Sequence, residues 1–166
     1  DQQILLVAAY RPHEASPALV HLVASWTRDG IAKRVPLDRL TEAESSSLLE
    51  SLVGKADHAD RISQLSAGNP YYLIELSRTD AEQVPTTLVD LVTARLDRLP
   101  ESARQVLQAA AVLEPDFDFA TLTKVSGRSE DEMLDALDAL LSADVLTERV
   151  GAYTFVHPLV ATIVRN

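Results

Sequence analysis

The sequence predicts a mainly α-helical chain with a small β component, and three observations predict it. From Thr41 onward, apolar residues recur at the three- and four-residue spacing that gives a helix one buried face. A continuous apolar run, ILLVAA at Ile4–Ala9, precedes that region and suits a buried strand. Near the other end, VLTER and YTFVH flank a turn around Val150–Gly151–Ala152 and read as a β-hairpin. The 166 residues suffice for one ordinary domain or two small ones.

Residues 1–40 read as a βαβ unit. The run ILLVAA contains β-branched residues and no polar one, as a strand buried on both faces of a parallel sheet requires. It stops at Tyr10–Arg11–Pro12. Ser16 is a suitable N-cap and Pro17 fits the first helical position. Leu19, Leu22, Val23 and Trp26 make the apolar stripe of that helix, and Gly30 ends it. The stretch RVPLDRL then reads as a second short strand, with the right-handed crossover such units adopt. Only Asp1, Gln2 and Gln3 precede the first apolar run. An opening this abrupt leads us to expect a piece of a longer chain.

Residues 41–99 read as helices alone. Thr41 and Glu44 have capping-box spacing before Leu48, Leu49 and Leu52. A helix from Ala59 to about Ala67 follows, with Ile62 and Leu65 inward. Gly68–Asn69–Pro70 separates it from a helix over Tyr71–Arg78, and another runs from about Thr87 to Leu99. Pro100 is the clearest punctuation. Beyond it, residues 100–166 read as helix, turn at Glu114–Pro115–Asp116, helix, helix, hairpin and a last helix from Pro158. Ser129 and Glu132 form a second capping-box pair ahead of the third of these helices. Three helices followed by a hairpin is the winged-helix order.

Composition narrows the function classes. The formal charge is −10, and an acidic surface repels phosphate backbones, so nucleic acid is a poor partner. No cysteine is present, which removes disulfides and thiolate metal sites. No apolar run approaches the roughly 20 residues that span a bilayer, so no membrane is expected. No signal-peptide pattern is visible, and the cytoplasm is the expected compartment. His13, His21 and His58 show no ligand spacing, so no metal site is expected. There is no phosphate loop of the GxxxxGK[ST] type and no nucleophile elbow, and no catalytic residue is assigned.

Three places have residue chemistry suited to a ligand, each beside a plainer reading. Arg11 follows the predicted buried strand, at the end where open α/β sheets bind ligands, and its guanidinium suits phosphate. The plainer reading is a solvated loop arginine. Gly68–Asn69–Pro70 is ordinary punctuation between helices. The proline ring also offers a flat surface on which a base can stack, beside N–H groups at a helix start. His157, just before Pro158, has ring nitrogens that can meet a phosphate. Alternatively it is a partly buried histidine bonded to a backbone carbonyl.

Taken in order, LLVAAYRPHE…SPAL, RVPLDRLTEAE, SAGNPYYLIEL, VPTTLVDLVTARLDRLPESARQVLQAAAVL and FVHPLVATIV resemble the STAND class of AAA+-like signal-transduction ATPases. The similarity is to the ATPase module of the large LuxR-type transcriptional regulators, and it covers nearly the whole chain. It implies that residues 1–40 are the C-terminal βαβ remnant of a P-loop ATPase sheet, 41–99 a helical lid and 100–166 a winged-helix domain. By the same resemblance, Arg11 is the sensor 1 arginine that reads the terminal phosphate. Pro70 packs on adenine, Asn69 shapes the turn, and His157 contacts nucleotide phosphates in the closed state.

The resemblance implies ATP or ADP with Mg²⁺ as cofactor of the full-length protein. The phosphate loop and the acidic strand would lie upstream of Asp1, and the LuxR-type helix-turn-helix downstream of Asn166. Without them the fragment is expected neither to hydrolyse ATP nor to hold nucleotide tightly, while the parent is a slow ATPase switch. Its expected partners are adenine nucleotide and its own upstream and downstream domains. Self-association through an unpaired Ile4–Ala9 edge is also expected. Two other readings stand beside this one. A protein–protein interaction module would use the acidic helices as a docking surface. A DNA-binding winged helix would need a basic recognition helix, whereas SEDEMLDALDALLSAD is acidic and has no Lys or Arg.

Overall fold

The computed structural model describes residues 4–11, 15–54, 58–79 and 83–166. It is mainly helical with one small antiparallel sheet. The chain divides between Asp38 and Arg39 into two compact units.

Among its described residues the first unit contains one helix, α1 (Pro17–Arg28). Ser16 accepts from the Leu19 N–H and Pro17 occupies the first turn, as the sequence indicates. Of the expected βαβ unit, the helix is formed and the two strands are not. Residues 4–10 form no strand, and Ile4, Leu5, Leu6 and Val7 are 79–88% exposed. RVPLDRL forms no strand either. A strand needs a neighbour to take up its N–H and C=O groups. Among the described residues none pairs with either stretch. Pro12 and His13 lie outside the described residues.

The second unit begins with four helices: α2 (Glu42–Val53), α3 (Ala59–Ser66), α4 (Pro70–Ser77) and α5 (Thr86–Leu96). Thr41 and Glu44 make the reciprocal capping box ahead of α2. Leu49, Ile62, Leu73, Leu76 and Leu88 from these helices are buried together. Next come α6 (Glu101–Leu113), β1 (Asp116–Asp118), α7 (Phe119–Ser126), α8 (Glu130–Ser142), β2 (Leu146–Arg149), β3 (Ala152–Phe155) and α9 (Pro158–Arg165). The sheet order is β1-β3-β2, all antiparallel. The strand β1 replaces part of the turn and helix read from the sequence there. Its exposed–buried–exposed pattern turns the Phe117 side chain into a second core with Leu107, Leu122, Met133, Leu140 and Phe155.

The helix α9 serves both cores. Leu159 is fully buried in the first, Val160 and Ala161 are buried in the second, and Ile163 packs against both. Val92 and Leu99, which precede Pro100, belong to the second core, and Leu159, which follows it, to the first, so both cores draw on residues from either side of Pro100 inside one compact unit.

Candidate functional site

The corner between α3 and α4 follows directly from its residues. Ala67 ends α3 in the left-handed region (φ 43°, ψ 42°), and Gly68 continues it (φ +75°). Gly68 is buried against the chain entering α2. A Cβ there would stand 2.3 Å from the Leu40 carbonyl oxygen, closer than any side chain tolerates. Asn69 then caps α4. Its Oδ1 accepts from Tyr71 N–H at 3.0 Å and Tyr72 N–H at 3.4 Å. These are donors that the sequence left open to a ligand, and the cap takes them. Pro70 fills the first helical position and is exposed, as is Tyr71 beside it.

Three successive carbonyls of the corner hold two other segments of the unit, the one entering α2 and the one entering α9. The Gly68 oxygen accepts from Leu40 N–H at 2.8 Å. The Ala67 oxygen accepts from Arg39 Nη1 at 3.0 Å, while Arg39 Nη2 donates to the Val156 oxygen at 3.4 Å. The Ser66 oxygen bonds His157 Nε2 at 2.8 Å and also accepts from Asn69 N–H. His157 is the N-cap of α9, and its Nδ1 accepts from Leu159 N–H at 3.2 Å. With Nδ1 accepting, the ring proton belongs on Nε2, which donates to Ser66. The ring meets Tyr72 edge to face at 4.5 Å.

His157 is 6% exposed, and burial favours its neutral form. Burial pushes its pKa from 6.5 down to about 4; the Ser66 bond opposes this, and Arg39 and Arg95 add to the depression. In this arrangement neither ring nitrogen is open to a phosphate, because both already bond backbone groups.

Asn69, Pro70 and His157 are thus gathered at one corner. Arg11 belongs to the other unit, where it is exposed in an irregular segment. Sequence reasoning missed Arg39 and Ser66. An arginine two residues before a capping-box threonine carries no local signal for a bond to Val156. Behind the corner lies an open cleft of about 230 Å³ lined by Leu40, Glu42, Ser45, Ser63, Gln64, Ala67 and Gly68. Among the described residues, no group of three or more His, Asp or Glu side chains is placed to hold a metal ion. No described helix is long and apolar enough to cross a membrane. No family model matches the chain, and no curated protein or solved structure is detectably similar to it.

Proposed function

We propose that this chain is the nucleotide-sensing and coupling part of a STAND-type ATP/ADP-dependent switch, as in LuxR-family transcriptional regulators of the cytoplasm. In this reading 41–99 is the lid and 100–166 a winged helix. The order helix, short strand, two helices and hairpin, with β3 between β1 and β2, supports the second assignment. Residues 1–40 would complete a sheet whose other strands, phosphate loop and Mg²⁺-binding acid come from upstream. The exposed run Ile4–Val7 supports this, because apolar side chains in such a row are suited to burial between neighbouring strands.

The observation that carries the proposal is Pro70. Its ring stands exposed on a corner made rigid by the Gly68, Asn69 and His157 contacts, which is what a stacking surface for adenine requires. Arg11 would meet the terminal phosphate. Asn69 contributes by fixing the corner through its cap, and His157 would reach phosphate only after leaving Ser66. Bound adenine nucleotide and Mg²⁺ supply the phosphoryl chemistry, and this stretch contributes recognition.

The acidic first turn of α8, with Glu130, Asp131 and Glu132, argues against that helix entering a DNA groove. Calorimetry with ADP on a chain that includes the upstream sequence tests the proposal. We expect Pro70→Ala and Arg11→Ala each to weaken binding about tenfold or more, the range of one lost stacking or charged contact. An upstream sequence without a phosphate loop, or binding indifferent to both substitutions, overturns it in favour of a protein–protein module.

A further inference from the structure

We infer that His157 is a proton-operated latch joining the α3–α4 corner to α9. The inference rests on contacts within the second unit and is independent of the nucleotide reading. The latch is shut when the ring is neutral. Its Nε2–H then donates to Ser66, and its Nδ1 lone pair receives the Leu159 N–H that opens α9. One ring therefore caps one helix and ties down the residue that ends another.

A second ring proton can go only on Nδ1, where the Leu159 N–H already points. Two donors would then face each other and the α9 cap would be lost. The charged and titratable groups facing the ring work in the same direction. Arg39, from the segment entering α2, and Arg95, from α5, are both cations. Arg39 is held at the Ala67 and Val156 oxygens, and Arg95 at the Ala143 and Asp144 oxygens. Tyr72, from α4, presents an aromatic ring. The Asp144 carboxylate lies 4.0 Å from Arg95 and offsets that charge in part.

The closed ring has its pKa depressed from the ordinary 6.5 to about 4. Its contribution to closure is complete above pH 6.5 and is lost as pH falls toward 4. The closed state should weaken about tenfold between pH 7.5 and pH 5.5, since a released histidine binds its proton there and a latched one does not. Opening would take the ring off the Ser66 carbonyl, which keeps its Asn69 N–H, and uncap the first turn of α9 together.

Amide exchange of this chain by NMR tests the latch, with protection factors correcting for the chemical pH dependence. We expect protection at Leu159 to fall about tenfold from pH 7.5 to pH 5.5 while α8 amides such as Leu137 hold theirs. In His157→Asn, the cap can still form but no ring protonates, and the differential fall should vanish. In the native chain the His157 ring should titrate well below 6.5, which requires no variant to fold. A ring titrating near 6.5, equal loss of protection across α8, or the same fall in His157→Asn would each overturn the latch.

Discussion

At the scale of single residues, the α3–α4 corner leaves little freedom for replacement. Gly68 combines a left-handed backbone with contact against Leu40. Gly68→Ala is expected to lower stability by about 2–4 kcal/mol, from left-handed strain plus displacement of the entering chain, read as a shifted urea midpoint. Val150 presents the opposite case. It is a β-branched residue at φ 51°, wholly exposed, in a two-residue hairpin turn with Gly151 at φ 78°. Val150→Asn places the residue such turns favour and should raise stability by about 1 kcal/mol, seen as a higher melting temperature. Both the turn and the Gly–Asn–Pro corner are legible in the sequence, because Gly, Asn and Pro act on the backbone locally. The bond from His157 to Ser66 spans 91 positions and leaves no periodicity or spacing to read. Packing alone places His157 in this structure as a buried histidine on a backbone carbonyl.

At the scale of elements, the caps were the most legible feature. Thr41 with Glu44 and Ser129 with Glu132 both form the reciprocal boxes their spacing announces. In each box the threonine or serine backbone N–H holds the glutamate below the usual carboxylate range. Ser129→Ala should cost about 1 kcal/mol, measured by denaturant titration followed by circular dichroism. The short strand β1 was not legible: three residues with one inward side chain, directly after Pro115, give no alternation to detect. The helix α9 matters most among the elements, because neighbouring side chains on it close different cores. Leu159→Ala should cost about 2–5 kcal/mol, and its effect should fall first on the core of α2–α4. Amide exchange in α3 and α4 should accelerate more than in α8, and equal acceleration would mean that the two cores open as one.

At the scale of the whole molecule, the two units are built by different means. Every residue of both apolar cores comes from the second unit. The helix α1 has no buried residue, and a 12-residue helix is marginal in water without packing. Its formation was legible because Ser16 and Pro17 act within the first turn. The flanking strands expected from the sequence are not formed here, because an apolar run announces burial without saying what will cover it. The sole tryptophan, Trp26, lies on α1, so indole fluorescence reports the first unit. Circular dichroism at helical wavelengths reports chiefly the second. The two signals should therefore not coincide in a urea titration: fluorescence should change gradually and early, while ellipticity falls in one cooperative step. Removing residues 1–38 should leave that step within about 1 kcal/mol of its original position, because no described residue of either core is deleted. Coincident transitions, or collapse of the shortened chain, would show that 1–38 contributes to the core of the second unit and would remove the basis for treating it as a sheet remnant awaiting its neighbours.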